Sequence, residues 1–251
     1  MKWFTGLNNH NKTSYNDYIK MYKVAVFSAK KTNPTLEPYL ILDGEIDDEI
    51  QSLIDLGVNV IKHQVLFYDD VIKHYKDDTV ALGVFLRIDI PKICEQLRIE
   101  DEYILYTDND VYFMDDISDL KNLKPTFFAA CGEFNPFLSP MNMNSGVMLI
   151  NWRNMMKEYD VFVKYIVENF SVNMYDQDPL KKFYNGRITI LDPHYNYRTY
   201  WGPNTNIKIL HYHGPKPTDS DDRIKNYTLP QLITPFYFET KKQFLETLEM
   251  I

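Results

Sequence analysis

The segment Tyr106-Thr107-Asp108-Asn109-Asp110-Val111 sets two carboxylates one residue apart, directly after the apolar run Tyr103 to Tyr106. In extended backbone the side chains at i and i+2 share a face, so Asp108 and Asp110 can converge on one cation while Asn109 points elsewhere. Hard oxygen donors suit Mg²⁺ or Mn²⁺. Such an ion bridges phosphates and stabilises negative charge on a departing group. The plain alternative is a solvated acidic turn. A second cluster, Ile209-Leu210-His211-Tyr212-His213-Gly214-Pro215-Lys216-Pro217, places two imidazoles at i and i+2 on a strand end, followed by a glycine turn and a lysine. Imidazole is a borderline ligand for Mn²⁺, and the Lys216 ammonium can neutralise phosphate oxygens. Arg87 is a cation inside the apolar stretch Leu82 to Ile88, and its planar fork suits phosphate or sugar hydroxyls as well as a structural ion pair. Asn144-Ser145-Gly146 supplies short polar groups at the entrance to a strand, which alone would be a turn. Asp176-Gln177-Asp178 precedes a helix, so one of its members can simply be an N-cap.

These groups need a scaffold, and the apolar patterning describes one. Strand-like runs occur at Lys23 to Ala29, Tyr39 to Leu42, Val58 to Ile61, Tyr103 to Tyr106, Phe127 to Ala130, Val147 to Ile150, Ile188 to Leu191 and Ile207 to Leu210. Helical spacing covers Asp47 to Leu56 with Gly57 as its stop, and Ala81 to Leu97, which Pro91 kinks or divides. Further helices are expected over Met155 to Asn169, Pro179 to Tyr184 and Thr240 to Met250. Alternating strands and helices imply right-handed crossovers and a mostly parallel sheet with helices on both faces. Ligands then bind beyond the carboxyl ends of the strands, where Asp108 and Asp110 fall.

Length and composition narrow the class. A chain of 251 residues is long enough for one large α/β domain with a sizeable core. The formal net charge of −8 argues against unassisted binding to nucleic acid or to an anionic membrane, so an anionic ligand needs local help such as a metal ion. Cys94 and Cys131 are not in a ligand-spaced pair, which speaks against a disulfide framework or a zinc site and fits a reduced compartment. Nowhere do about 18 apolar residues run together. A soluble, cytoplasmic protein is the expectation; homo-oligomerisation is left open.

Taken in order, Arg87, the YTDND run, NSGVMLIN from Asn144 to Asn151, the DQD triplet from Asp176 to Asp178 with Tyr195-Asn196 downstream, and HYHGPKP from His211 to Pro217 resemble the successive motifs of glycosyltransferase family 8. The resemblance spans residues 23–217 and implies an α/β, Rossmann-like GT-A fold in a single domain, residues 1–251. Residues 1–22 would be a polar lead-in and 218–251 a C-terminal extension. It also implies a retaining, metal-dependent transferase that takes a nucleotide sugar, usually a UDP-sugar, with Mn²⁺ as cofactor and Mg²⁺ as the alternative ion. The acceptor, whether glycan, protein or lipid-linked sugar, is not indicated.

By motif, Asp108, Asp110 and His211 match the metal ligands. Arg87, Asp108, Asn109, Asn144, Ser145, His213, Gly214 and Lys216 match positions around the nucleotide sugar, and Asp176 with Gln177 match the polar pair below the anomeric carbon. Phe27, Ser28 and Ala29 would lie near the nucleobase, although the family's usual Thr-Asn pattern is missing there. The family commonly reads His-x-x-Gly-x-x-Lys-Pro-Trp; here one residue is missing between Gly214 and Lys216, and Thr218 stands in place of Trp. This leaves open whether His211 or His213 reaches the metal, and the shared His-x-x-Gly spacing favours His211. Gln177 is a poor nucleophile, so retention is expected to come from attack on the leaving-group side. The competing readings are a non-catalytic relative that binds nucleotide sugar or glycan, and a phosphatase using Asp-x-Asp as nucleophile and acid.

Overall fold

The computed structural model describes residues 1–10, 12–76, 78–133, 143–170 and 175–251. In chain order the first elements are β1 (Lys2–Asn8), α1 (Lys12–Thr32), β2 (Glu37–Asp43), α2 (Asp48–Asp55), β3 (Asn59–Lys62), α3 (Tyr68–Tyr75), α4 (Thr79–Phe85) and α5 (Ile90–Gln96). Then come β4 (Tyr103–Thr107), β5 (Val111–Phe113), β6 (Phe128–Gly132), β7 (Met143–Asn151), α6 (Trp152–Glu168) and α7 (Gln177–Phe183). The chain closes with β8 (Thr189–Ile190), β9 (Tyr197–Arg198), β10 (Ile209–His211), α8 (Asp221–Lys225) and α9 (Pro235–Leu248).

Among the described residues, seven strands form one sheet in the order β3-β2-β1-β4-β7-β6-β8, and β7 alone runs against its neighbours. Period-2 alternation gives each strand a side chain for each face. Phe4, Ile41, Ile104, Phe128 and Ile150 point to one face, where α3 to α7 cover them. Trp3, Leu7, Leu40, Leu105 and Leu149 point to the other, against α1 and α2. A second, three-stranded sheet has the order β5-β10-β9, with β10 antiparallel to β5 and parallel to β9. No described helix is long and apolar enough to cross a membrane.

The expected helix break is present. Residues 86–89 tighten into a 3-10 turn between α4 and α5, and Pro91 sits in the first turn of α5, where its missing N–H costs nothing. Gly57 ends α2 at φ +82°, a conformation that only glycine adopts freely, and its N–H closes on Ile54 O at 2.7 Å.

Two expectations are corrected. Residues 1–22 are not a lead-in, because Lys2–Asn8 forms an inner strand paired with both β2 and β4. Lys23 to Ala29 is not a strand but the later part of α1. Tyr15, Ile19, Tyr22, Val26 and Ala29 recur at helical spacing and pack on the sheet, while Met21 and Val24 face the cluster around α9 and β10. A helix apolar on two sides gives a continuous apolar run, which in one sequence is indistinguishable from a buried strand. Phe27, Ser28 and Ala29 therefore do not form a strand end. The Ser28 hydroxyl donates to Ala25 O at 3.0 Å and accepts from the Phe113 N–H at 3.1 Å, pinning α1 to β5.

Ser28→Ala strands the buried Phe113 N–H, so chemical unfolding should show a loss of about 1–3 kcal/mol. Nucleotide affinity should be unchanged; a selective loss of nucleotide binding would restore Ser28 to the site.

Candidate functional site

The site is built where β4 ends. The Asp108 N–H donates to Gly146 O of β7 at 2.8 Å, continuing the β4–β7 pairing by one residue. The loop then turns into β5, which pairs with β10 in the register His211 opposite Val111, and the Tyr212 N–H donates to Asp110 O at 2.9 Å. That pairing carries His211 to the carboxylates. Its Nε2 lies 3.3 Å from Asp110 Oδ1 and 3.8 Å from Asp108 Oδ2. One ligand atom from each of the three residues falls within 4.8 Å of the others.

The surroundings fit a divalent ion. Two carboxylates and an imidazole are a donor set for Mn²⁺ or Mg²⁺. His211 Nδ1 lies 2.9 Å from Asn196 Oδ1 and 3.0 Å from Arg198 Nη1; the tautomer with Nδ1–H donating to Asn196 is the one that leaves the Nε2 lone pair aimed at the acids. Burial pushes the imidazole pKa down, Asp110 opposes this, and Arg198 adds to it, which favours the neutral ligand form. For Asp110, burial raises the pKa, but Lys216 and His211 outweigh it and hold the carboxyl far below the usual range. Space is reserved as well: a Cβ on Gly146 would stand 2.3 Å from His211 Cε1 and 2.8 Å from Asp108 Oδ2.

A cleft of about 190 Å³ opens in front of this cluster. Arg87, Asp108, Asn109, Asp110, His211, His213 and Lys216 border it together with Asn8, Tyr15 and Tyr18 from β1 and α1. Lys216 Nζ reaches Asp110 Oδ2 and donates to Tyr212 O at 3.1 Å. Burial lowers the lysine pKa, but Asp110 more than compensates, so the ammonium is retained. Arg87 stacks on Tyr106 with 4.5 Å to the ring centroid. Its guanidinium donates to Asp108 Oδ1 at 2.9 Å and to Ser145 O at 2.8 Å, so it orients Asp108 as well as facing the cleft. Asn109 borders the cleft, but its amide is engaged with β1: Nδ2 donates to Gly6 O at 2.9 Å and Oδ1 accepts from Thr5 at 3.2 Å.

The remaining expected residues form a polar network outside the cleft lining. Gln177 Oε1 accepts from the Ser145 N–H at 3.0 Å, and Asn144 Oδ1 accepts from the Gly146 N–H at 2.9 Å. Asp176 occupies the N-cap position of α7 without any capping hydrogen bond. Its buried carboxyl has Oδ2 3.3 Å from Arg87 Nε. Burial pushes its pKa up to about 6, with Arg87 opposing and Asp108 adding. Gly214, at φ +108°, forms the turn before Lys216. Phe27, Ser28 and Ala29 are not among the cleft-lining residues.

Two groups escaped sequence reasoning. Glu133, one residue past β6, accepts from Gln177 Nε2 at 2.9 Å and Asn144 Nδ2 at 3.0 Å, and pairs with His213 Nε2 at 2.8 Å. His213 is thus brought to Glu133, while His211 is brought to the aspartates. A carboxylate just beyond a strand's carboxyl end was the available signal, the same that marks Asp108. Tyr15 and Tyr18 were hidden because α1 was read as lead-in and strand.

A sequence profile described as Glycosyl transferase family 8 matches residues 13–218. A curated Haemophilus influenzae protein, provisionally named a glycosyltransferase, is 23% identical over 205 residues, which cover 72% of this chain. The match spans 60% of that relative's length. The crystal structure of the galactosyltransferase LgtC with donor and acceptor sugar analogues superposes at a TM-score of 0.72 and 14% identity, covering 100% of this chain and 96% of that one. The apo form of the glycosyltransferase GlyE from Streptococcus pneumoniae TIGR4 gives 0.66 and 19% identity over 98% of this chain and 63% of that one. At these identities the likeness establishes the fold, which is GT-A.

Two outcomes are expected. Gly146→Ala should weaken Mn²⁺ binding, measured by calorimetry, about 10- to 100-fold while leaving the circular dichroism spectrum intact. For Glu133, burial raises the pKa, but the His213 hydrogen bond and charge, with Arg198 and Asn144, outweigh it and lower it from 4.5 to about 2. Its stabilising contribution is therefore complete above pH 4.5 and lost as pH falls toward about 2. Glu133→Gln should lower the melting temperature at neutral pH, and the gap from wild type should close as the medium is acidified; a gap independent of pH would contradict the ion pair.

Proposed function

We propose that this chain, which belongs to glycosyl transferase family 8, is a glycosyltransferase that takes a sugar from a nucleotide donor, a UDP-sugar, and passes it to an acceptor hydroxyl with retention at the anomeric carbon. The observation that carries the proposal is the convergence of Asp108, Asp110, His211 and Lys216 at one end of a cleft large enough to admit part of a nucleotide. Asp108, Asp110 and His211 would hold Mn²⁺ or Mg²⁺, which when bound supplies Lewis-acid neutralisation of a diphosphate.

The chain's own groups have separable tasks. Lys216 brings a fixed positive charge to the place where the departing diphosphate gains negative charge, a preorganised stabilisation that water would have to reorganise to provide. Arg87 keeps Asp108 oriented. Tyr18 borders the cleft close enough to Lys216 and Asp110 to feel their charges, and offers an aromatic surface to the bound nucleotide.

For the sugar end, Gln177 has its amide oxygen bound by the Ser145 N–H and its nitrogen bound to Glu133, so the amide is a fixed dipole and not a nucleophile. The Asp176 carboxyl is held against Arg87 and outside the cleft lining. This supports same-face attack: the acceptor oxygen bonds to the anomeric carbon as the bond to the phosphate oxygen breaks, and the hydroxyl proton passes to that departing oxygen. The phosphatase reading is less well supported, because Asp108 Oδ1 is engaged by Arg87 and Tyr106 and Oδ2 faces the His211 imidazole rather than open space.

The test is release of UDP from a panel of UDP-sugars with Mn²⁺, with and without EDTA, alongside Asp110→Asn. Turnover that needs the ion and falls at least about 100-fold in Asp110→Asn is expected; turnover indifferent to both would remove the metal from the reading. Phosphate release from an aryl phosphate with the UDP-sugars untouched would replace the reading altogether.

A further inference from the structure

The family match stops at residue 218, yet the turn that carries Lys216 is held largely from beyond that point. The Lys216 N–H donates to Asp219 Oδ2 at 2.7 Å, and the Lys216 carbonyl accepts from the Tyr237 hydroxyl of α9 at 2.9 Å. Lys241, one turn further along α9, donates its ammonium to the Asp219 carbonyl. The other Asp219 oxygen pairs with Arg223 Nη1 at 3.0 Å. On the near side of the turn, the Tyr212 hydroxyl donates to Thr240 O at 2.8 Å. Asp219, Tyr237, Thr240 and Lys241 are all buried. Both peptide groups flanking the Lys216 Cα are thus anchored to one helix end and its approach.

A lysine side chain loses up to about 2 kcal/mol of rotamer freedom when it is fixed, so an ammonium that must meet a phosphate at one point gains from a main chain that cannot drift. We propose that Tyr237 and Asp219 are positioning residues for Lys216, so that the C-terminal segment, outside the family's matched span, sets the affinity of the site for the donor's diphosphate. This rests on the reading of the cleft as a nucleotide-sugar site. Neither residue borders the cleft, so any effect on ligand must pass through the lysine.

The probe is UDP with Mn²⁺, titrated calorimetrically into wild type, Tyr237→Phe, Lys216→Ala and the double variant, with Mn²⁺ alone as a parallel titration. Tyr237→Phe removes one hydroxyl and keeps the buried ring. It should weaken UDP about three- to tenfold, the loss expected for one hydrogen bond that holds a binding group, with a smaller change in Mn²⁺ affinity because Lys216 also touches Asp110. In the Lys216→Ala background the same substitution should do nothing further, because the cycle closes with a coupling as large as the single effect. Asp219→Ala should behave like Tyr237→Phe, and Asp219→Asn, which retains an acceptor oxygen, should restore most of the affinity. Equal effects of Tyr237→Phe in both backgrounds, or none in either, overturn the positioning role while leaving the donor site standing. A wild-type chain that binds no UDP with or without Mn²⁺ overturns the nucleotide reading itself, and this inference with it.

Discussion

The close approach of two carboxylates, Asp110 buried and Asp108 partly exposed, is the constraint around which the site is arranged. Like charges a few ångströms apart interact far more strongly there than in solvent, and such a pair stays doubly ionised only if positive charge is close by. The compensation comes from distant parts of the chain: Arg87 from the turn between α4 and α5, and Lys216 with His211 from the last strand and the turn that follows it. Lys216 and His211 hold the Asp110 carboxyl far below the usual range, and β10, which pairs with β5, delivers that imidazole. A divalent ion between the acids would complete this balance, and because Arg87 and Lys216 already offset the two acids, an anionic ligand would then meet net positive charge in a protein of net charge −8.

How much of this was readable beforehand follows from how local each feature is. Asp108 and Asp110 announce themselves because an i, i+2 relation at the end of a buried strand needs no knowledge of the rest of the fold. The strands β2, β4, β6 and β7 and the helices α2 and α6 were legible for the same reason. α1 was not: packed between the sheet and α9, it is apolar on two sides, and its run from Lys23 to Ala29 lost the polar interruptions that mark a helix. β10 was legible as the run from Ile207 to Leu210, but β5, only three residues long, carries no periodic signal, and the pairing of the two decides which histidine meets the aspartates. Spacing shared with a family could favour His211, whereas only the antiparallel register gives the reason.

The polar network beside the cleft shows a different division of labour. Glu133 binds three partners at once, and two of them, Gln177 and Asn144, are amides whose orientation is otherwise ambiguous by symmetry. A carboxylate can only accept, so it forces both nitrogens toward itself and turns the Gln177 oxygen to the Ser145 N–H. Asp176, by contrast, is buried with its pKa raised to about 6 and lacks a full set of hydrogen bonds. One acid thus fixes its neighbours in place, while the other is buried against Arg87.

The ribbon of β5 and β10 also has a meaning for how the molecule is made. Lys216 and Asp110 stand 106 positions apart in the chain, and residues 209–211 must dock before either the imidazole or the ammonium arrives. A chain that has emerged only as far as residue 208 carries the acidic pair with Arg87 as its counter-charge and an unfinished cluster. A product cut before residue 209, however well its sheet is formed, therefore lacks both the imidazole and the ammonium that complete the cluster.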